Sequence, residues 1–293
     1  METYVRFWGT RGSIPTPGHK TRRYGGNTSC VEVRVDEQLF VCDGGTGLRE
    51  LGLDLAERAP DGLEAHLFFS HMHWDHIQGF PFFVPAYAEK NKLHVYEVTP
   101  GETRVQRLLH RQMQSEYFPV SFSDLGASIG AGHFSDGELS LPGVRVRCLE
   151  QTHPGRSFAF SFEAGGKKIV YATDSELDLN IQNRDEAKRD PRTLRVLPPE
   201  LVAFVADADL LIADGQYTDA EYTQRIGWGH ATASSVVDLA TQARVKQCAI
   251  FHHDPMHSDD VVDSKIQACR ERAQNHRSDL VVFGAREGVE LKL

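Results

Sequence analysis

The sequence is poor in cysteine, and the few cysteines it has are not paired. There are five, an odd number, and no two of them fit a C-x-x-C motif. Disulfide frameworks and zinc ribbons need paired cysteines, so the sequence argues against both. The pattern predicts reduced thiols in the core of a cytoplasmic protein. The cysteines are Cys30, Cys42, Cys148, Cys248 and Cys269.

Long apolar runs are also lacking. No stretch approaches the roughly 20 apolar residues that a membrane-spanning helix needs. The beginning of the sequence, METYVRF, does not show the charged-then-apolar pattern of a secretory leader. We therefore expect no membrane association and a cytoplasmic location.

Concentrated positive charge is the third feature that is scarce. The formal net charge is −9, and the longest basic blocks are the pairs Arg22-Arg23 and Lys167-Lys168. Binding a long nucleic acid needs a concentrated basic surface, because neutralising phosphates releases their condensed counterions. A long RNA or DNA partner is therefore disfavoured. A small phosphorylated ligand held by metal ions is not, since the ions supply positive charge.

What is present fits an ordinary globular protein. The 293 residues are 40% hydrophobic and 25% charged, which is enough apolar material for a large core. The most polar stretch, 178–195, lies between residues that we assign to one site below. We therefore interpret about 178–200 as a surface insertion, and we predict a single domain over 1–293.

Short β-branched and aromatic runs, separated by glycine and proline, predict strands in both halves of the chain. Leucines at helical spacing predict a helix over 47–58, and two further helices follow in the last third. This pattern predicts two packed sheets with helices outside them. The predicted strands are 4–8, 30–35, 39–42, 65–69, 93–98, 144–149, 158–162, 168–172, 210–213, 247–251 and 280–283, and the later helices are about 231–243 and about 259–273.

The densest chemical signal follows the strand at 65–69. The segment reads HMHWDH, with His71, His73, Asp75 and His76 in six residues. Residues two apart on an extended segment project to one side, so His71 and His73 can share one metal ion. If the chain turns into a helix here, Asp75 and His76 face a second ion. Imidazole and carboxylate suit zinc, and also manganese or iron.

This motif resembles the HxHxDH signature of the metallo-β-lactamase superfamily. The resemblance implies an α/β fold, an αββα sandwich of two packed mixed β-sheets with helices on both outer faces. It also implies further ligands downstream, and His153 and Asp174 match the third-motif histidine and the metal-bridging aspartate. Asp43 matches an aspartate that orients metal-bound histidines, although an aspartate before two glycines is also a common turn former.

The chain is most similar to the ribonuclease Z-like and cyclic-nucleotide phosphodiesterase-like branch. There a Gly-His-[Ser/Ala]-Thr-Ala element precedes the last ligand, and the stretch from Gly229-His230 onward fits without a gap. This register selects His252 as the last ligand, with His253 as the alternative. It also places His230 where the branch stabilises the scissile phosphate or protonates the leaving oxygen. The segments 9–13 and 25–30 resemble the N-terminal pattern of cytoplasmic phosphodiesterase-like members.

The resemblance implies two divalent metal ions, Zn²⁺ first and Mn²⁺ or Fe as alternatives. His71, His73 and His153 would hold one ion, Asp75, His76 and His252 would hold the other, and Asp174 would bridge them. The ions would activate water against a phosphodiester. His230 and Asp75 are the predicted catalytic residues, and the predicted substrate-binding residues are Phe82, Tyr217 and His257.

Only 20 residues separate His153 from Asp174, where ribonuclease Z carries its tRNA-gripping arm. We therefore expect a small phosphodiester such as a cyclic nucleotide. The alternatives are a nuclease acting on short or single-stranded nucleic acid, a di-iron oxidoreductase on the same fold, and a non-catalytic binding module. A homodimer is expected by analogy with the family.

Overall fold

The computed structural model describes residues 2–98 and 104–293. These residues form two compact units. Unit 1 comprises Met1–Pro17, Gly25–Leu139 and Arg286–Leu293, and unit 2 comprises Gly18–Tyr24 and Ser140–Ala285. The interpretation of residues 1–293 as one domain stays a prediction. Within the described ranges, no helix combines the length and the apolar character needed to cross a bilayer.

Strands dominate both units. They are β1 (Thr3–Gly9), β2 (Cys30–Val35), β3 (Gln38–Cys42), β4 (Glu64–Phe68), β5 (Lys92–Glu97), β6 (Ser128–His133), β7 (Glu138–Leu141), β8 (Val144–Gln151), β9 (Ser157–Ala164), β10 (Lys167–Ala172), β11 (Leu210–Asp214), β12 (Gln247–Phe251), β13 (Val281–Gly284) and β14 (Glu290–Lys292). They build two seven-stranded sheets, one ordered β14-β1-β2-β3-β4-β5-β6 and the other β13-β12-β11-β10-β9-β8-β7.

Helices connect the strands. The α-helices are α1 (Gly47–Arg58), α2 (Trp74–Ile77), α3 (Arg104–Gln112), α4 (Arg184–Arg189), α5 (Pro199–Val205), α6 (Asp219–Tyr222), α7 (Ala233–Gln242) and α8 (Asp259–Asn275). Short 3-10 helices span His19–Thr21, Phe80–Phe82, Val84–Tyr87, Phe122–Asp124 and Leu177–Asn180.

The first sheet is mixed. Strands β14, β1, β2 and β3 pair antiparallel, and β3, β4, β5 and β6 pair parallel. Helix α1 buries Leu48, Leu51 and Leu55 in the core of unit 1, as their helical spacing predicts. Each fully buried leucine contributes roughly 1.5–3 kcal/mol to stability through the hydrophobic effect.

The second sheet places the second group of site residues. Strands β10, β11, β12 and β13 run parallel, whereas β8, β9 and β10 pair antiparallel. Every residue of β11 is buried, which explains its unbroken apolar run, because both faces of a parallel sheet are usually covered. Helix α7 packs on β11 and β12, and α8 packs on β13. The carboxyl ends of β10, β11 and β12 therefore lie at one edge of the sheet.

The polar stretch after β10 is not uniformly exposed. Its middle carries α4, which has no buried residue, whereas Asp178 and Arg195 at its two ends are buried. Arg195 Nη1 donates hydrogen bonds to Thr232 Oγ1 at 2.7 Å and Ser235 Oγ at 2.8 Å. Asp178 Oδ2 accepts a hydrogen bond from Thr232 N at 2.8 Å, so both ends of the stretch are tied to the beginning of α7. Whether it is an insertion stays a prediction.

Candidate metal centre

The first cluster comprises His71, His73, Asp75 and His76 in unit 1. The chain leaves β4, passes His71, is extended at His73, and turns into α2 at Trp74. The predicted change from strand to helix is therefore present. The His71 ring lies 4.4 Å from that of His73 and 4.3 Å from that of His76, between centroids. His76 Nε2 lies 3.2 Å from Asp75 Oδ2, so four potential ligands share one loop.

Asp43 organises this cluster from the end of β3. Its Oδ2 accepts hydrogen bonds from His76 Nδ1 and Ser70 Oγ, both at 2.8 Å, and its Oδ1 accepts one from Ser70 N at 2.7 Å. Ser70 Oγ in turn lies 3.0 Å from His71 Nδ1. Asp43 thus orients His76 directly and His71 through Ser70, which is the contact expected for it.

The second cluster comprises His153, Asp174, Asp214, His230 and His252 in unit 2. Asp174 follows β10, Asp214 ends β11, and His252 follows β12. Ligand atoms of Asp174, Asp214, His230 and His252 all lie within 4.8 Å of one another. Asp174 Oδ1 is 3.2 Å from His252 Nε2, and Asp174 Oδ2 is 3.9 Å from His153 Nε2. Asp174 therefore lies between two of the predicted ligand histidines.

Two residues of the second cluster, and the aspartate that orients the first cluster, adopt a strained backbone conformation. Asp43, Asp174 and His252 have φ values of 60°, 51° and 56°. This left-handed region is sparsely populated by residues other than glycine, and occupying it costs about 1–3 kcal/mol per residue. The strands that precede these residues must hold them in this conformation against that free-energy cost. Such strain is concentrated at functional sites.

The histidine hydrogen bonds test whether the clusters fit a metal ion. Nδ1 of His153 lies 2.8 Å from the Gly229 carbonyl oxygen, and Nδ1 of His252 lies 2.9 Å from Gln216 Oε1. An acceptor at Nδ1 fixes the proton there and puts the lone pair on Nε2, as in metal-bound histidines. His71 and His76 show the same arrangement. The donor set, imidazole and carboxylate without thiolate, fits Zn²⁺, Mn²⁺ or Fe.

His230 has a carboxylate partner that we did not predict. Its Nδ1 lies 2.8 Å from Asp214 Oδ2 and 3.8 Å from Asp174 Oδ2. Its ring stacks on that of His252, with 4.9 Å between centroids. A signal for Asp214 exists in the sequence, because it ends a buried apolar strand as Asp174 and His252 nearly do. The carboxyl ends of parallel strands are where such sites form.

A buried lysine supports the turn after β11. Lys265 Nζ donates hydrogen bonds to the carbonyl oxygens of Gly215 and Gln216, at 2.7 and 2.9 Å. Burial lowers the pKa of Lys265 to about 8. Gln216 is the residue that contacts His252, so Lys265 fixes the backbone that carries it. Neither Lys265 nor Gln216 had a recognisable pattern in the sequence.

His252 and His253 have different contacts. His253 Nε2 lies 2.9 Å from the Ala285 carbonyl oxygen, and its ring packs edge-on against Tyr24. His252, by contrast, lies beside Asp174. His252 thus lies nearer the other predicted ligands than these contacts show for His253, and its role as a metal ligand stays a prediction.

The three predicted substrate-binding residues differ in their surroundings. Tyr217 is buried, and its ring meets that of His230 edge-on at 5.9 Å, so it borders the second cluster. Phe82 is 54% exposed and packs edge-on against Phe118. His257 is buried, and its Nε2 lies 2.8 Å from Glu221 Oε1. Burial lowers the pKa of His257. Contact of any of the three with substrate stays a prediction.

Comparison with known proteins identifies the family. A model described as the β-lactamase superfamily domain matches residues 40–253. The chain belongs to this superfamily. Among its superfamily relatives, ribonuclease Z of Methanosarcina acetivorans is 27% identical over 289 aligned residues, which cover 88% of this chain and 89% of the relative.

Solved structures of the superfamily fold agree. The metallo-β-lactamase fold protein YhfI from Bacillus subtilis aligns with a TM-score of 0.69 at 17% identity, covering 100% of this chain and 99% of that one. Unliganded yeast PDE1 aligns with a TM-score of 0.68 at 15% identity, with the same coverage. The predicted metallo-β-lactamase fold is thus confirmed. The protein is a hydrolase of this superfamily, and its His/Asp clusters indicate divalent-metal binding.

Proposed function

We propose that the protein is a dinuclear metal-dependent phosphodiesterase that acts on a small phosphodiester such as a cyclic nucleotide. In this proposal both clusters contribute to one centre, with Zn²⁺ as the first candidate. The residue roles are those implied by the family motifs. His71, His73 and His153 would hold one ion, Asp75, His76 and His252 the other, and Asp174 would contact both.

Bound divalent ions lower the pKa of water toward neutrality and stabilise negative charge on a phosphate. The protein's own contribution is to fix the ligands before substrate arrives. Asp43, Gln216 and the Gly229 carbonyl each hold an imidazole by its Nδ1, so little reorganisation is needed on binding. Asp75 is held in turn by the backbone N–H of Ser13, at 2.7 Å from Oδ2.

The observation that carries the proposal is the hydrogen bond between His230 and Asp214. The Asp214 carboxylate fixes the proton on His230 Nδ1 and stabilises the imidazolium form. A second proton on Nε2 can then neutralise a phosphate oxygen or move to the leaving alkoxide, which is general acid catalysis. A cyclic nucleotide needs such an acid because its alkoxide leaving group is strongly basic.

The connection between β9 and β10 supports a small substrate. These strands form a hairpin whose turn is Gly165-Gly166, with Ala164 paired to Lys167. The segment between His153 and Asp174 therefore has no extra arm to hold a folded RNA. The net charge of −9 supports the same preference.

A nuclease acting on short or single-stranded nucleic acid is the second candidate. It is favoured by the relative named ribonuclease Z, whose alignment spans 88% of this chain. The same ligands would serve both activities, because each cleaves a phosphodiester. The two candidates differ in the surface around the centre.

Three substrates separate the candidates in one assay. The metal-loaded protein is incubated with bis-p-nitrophenyl phosphate, cyclic AMP and a short single-stranded oligonucleotide, and kcat/KM is compared. Preference for cyclic AMP supports the first candidate, and preference for the oligonucleotide supports the nuclease. Absence of hydrolysis of all three, together with a visible absorption band of bound iron, would favour the di-iron oxidoreductase.

The metal assignment is tested separately by elemental analysis of the Asp174→Ala variant. Loss of the carboxylate that lies between His153 and His252 should lower both metal content and activity. An Asp174→Ala protein that keeps the full metal content and full activity would refute the assignment. Sedimentation measures the expected homodimer, and fractionation of cells measures the expected cytoplasmic location.

A further inference from the structure

The loop between α6 and α7 is fixed by one buried carboxylate. Glu176 is 1% exposed. Its Oε1 accepts hydrogen bonds from Gly227 N at 2.6 Å and Tyr222 Oη at 2.7 Å, and its Oε2 accepts one from Gly229 N at 2.8 Å. Hydrogen bonds to a charged group are worth more than neutral ones. The loop is therefore held rigidly at both of its glycines.

This rigid loop presents two large apolar side chains to solvent. Ile226 is 60% exposed and Trp228 is 61% exposed, on either side of the fixed Gly227. Exposed apolar groups on a rigid loop lose little conformational entropy when they bind a partner. Of the three tryptophans, Trp8 is buried, whereas Trp74 is exposed to nearly the same extent as Trp228, at 63%. A binding role is a better account of Trp228 than packing.

The loop is attached to the second cluster. Gly229 follows Trp228 directly, and its carbonyl oxygen accepts the hydrogen bond from His153 Nδ1 at 2.8 Å. His230, the proposed acid, is only two residues from Trp228, so their Cα atoms are at most about 7.6 Å apart. The Trp228 indole is therefore within reach of a substituent on the phosphate to which His230 would donate its proton.

We propose that Trp228 forms a stacking shelf for the planar base of a nucleoside phosphodiester, and that Glu176 holds the shelf in position. The inference rests on the proposed phosphodiesterase function and specifies its substrate class. Stacking of a base on an aromatic ring is sequence-tolerant, because every base offers a π-face. The shelf therefore selects nucleosides over simple alkyl phosphodiesters without selecting a particular base.

Two substrates with the same leaving group test the shelf. Thymidine 5′-(p-nitrophenyl phosphate) carries a base, and methyl p-nitrophenyl phosphate does not. We expect Trp228→Ala to lower kcat/KM for the thymidine ester about tenfold or more. The same variant should change kcat/KM for the methyl ester less than about twofold. Trp228→Phe keeps a ring and should retain most of the preference. Ile226→Ala, in the same loop and equally exposed, is the matched control and should retain all of it.

Three results would overturn the shelf. One is an equal loss on both substrates in Trp228→Ala. Another is an Ile226→Ala variant that loses the preference as fully as Trp228→Ala does, because a general apolar contact would then be responsible. A shift of a dimer to monomer in Trp228→Ala, with the preference unchanged, also rejects the shelf and assigns the loop to a second copy of the chain.

A binding measurement separates failure of the shelf from failure of the proposed function. If neither ester is hydrolysed, the phosphodiesterase proposal fails, and the shelf is judged on thymidine 5′-monophosphate alone. In a Trp74→Phe background the remaining tryptophans are Trp8 and Trp228. Saturable quenching of tryptophan fluorescence by thymidine 5′-monophosphate supports the shelf if it is lost in the Trp74→Phe/Trp228→Phe double variant. Absence of quenching in the Trp74→Phe protein overturns the shelf.

Discussion

His230 Nδ1 lies 2.8 Å from Asp214 Oδ2, at the carboxyl end of β11. Both oxygens of Asp214 have further donors, since Oδ1 accepts from Gln216 N at 3.0 Å and Oδ2 from Ser175 N at 3.4 Å. One carboxylate thus joins the turn after β10, the turn after β11 and the proposed catalytic histidine. An amide in its place has a single acceptor oxygen and no charge.

Asp214→Asn should lower kcat for hydrolysis of cyclic AMP by about 10²-fold or more, because the imidazolium of His230 loses its stabilising charge. Steady-state kinetics measures the loss in kcat, and elemental analysis of the same preparation measures the metal content. The matched control is Asp209→Asn, which changes a buried aspartate just before β11, at the opposite end of the strand. Full activity of Asp214→Asn, or an equal loss in the control, would contradict the role. Loss of metal would instead make Asp214 a ligand.

Gly229→Ala should weaken metal binding about 10–100-fold by displacing His153. A methyl group at this glycine would lie 2.3 Å from His153 Nδ1, where no atom fits. Gly227 is an ideal control, since its φ of 86° matches the 89° of Gly229 and a methyl group there meets nothing within 4 Å. Both alanine variants therefore carry the same backbone strain. Competition with a chromophoric chelator should show weakened binding in Gly229→Ala alone, and equal affinities would show that His153 is not disturbed.

Asp43→Asn should also weaken metal binding about 10–100-fold, through the first cluster. The amide can still accept from Ser70 N, but its nitrogen then faces the His76 Nδ1–H and the Ser70 hydroxyl, which are both donors. Ser70→Ala removes the hydroxyl that links Asp43 to His71, but it leaves the hydrogen bond between Asp43 and His76. We expect its loss of affinity, measured with the same chelator, to be smaller than that of Asp43→Asn. The reverse order would show that Asp43 does not act on both histidines.

Local patterns made much of the fold predictable from the sequence. The bounds of β2, β12 and α1 agree with prediction to the residue, because the apolar pattern changes to polar residues sharply at their ends. The HMHWDH loop was recognisable for the same reason, as four potential ligands are adjacent in the chain. Strand β6 was missed, since its sequence, SIGAGH, has little strand propensity. It is a strand because it pairs with β5.

Contacts between distant residues explain what the sequence did not reveal in the site. The position of Asp214 at the end of a buried strand is a signal that many structural aspartates share, and its 2.8 Å contact with His230 distinguishes it from them. Glu176 is likewise inconspicuous until the loop that it fixes, 46 to 53 residues later, is seen. Single carboxylates carry no spacing signal. Their roles are set by which backbone N–H groups and rings the fold brings to them.

Glu287 should make unit 1 less stable as the pH rises through neutrality. Burial raises the pKa of this carboxyl to about 7, even though Asn27 donates hydrogen bonds to it from its backbone N at 2.6 Å and from Nδ2 at 3.0 Å. In the unfolded chain the ordinary pKa is 4.5. Between pH 4.5 and 7 the folded protein therefore binds a proton that the unfolded chain has released. The free energy of unfolding falls over this range and levels off above it.

Glu287→Gln should abolish this pH dependence, because a neutral amide has no charge to bury. The difference between wild type and variant should grow by at most about 3 kcal/mol from pH 4.5 to pH 8 in favour of the variant. Urea unfolding of metal-free protein across this range measures it, since chelation removes the separate effect of pH on metal binding. Glu290→Gln, an exposed change three residues later in β14, is the matched control. Parallel pH curves for wild type and Glu287→Gln would mean that this partly buried carboxyl titrates normally. A slope of opposite sign would mean that its hydrogen bonds to Asn27 outweigh its burial.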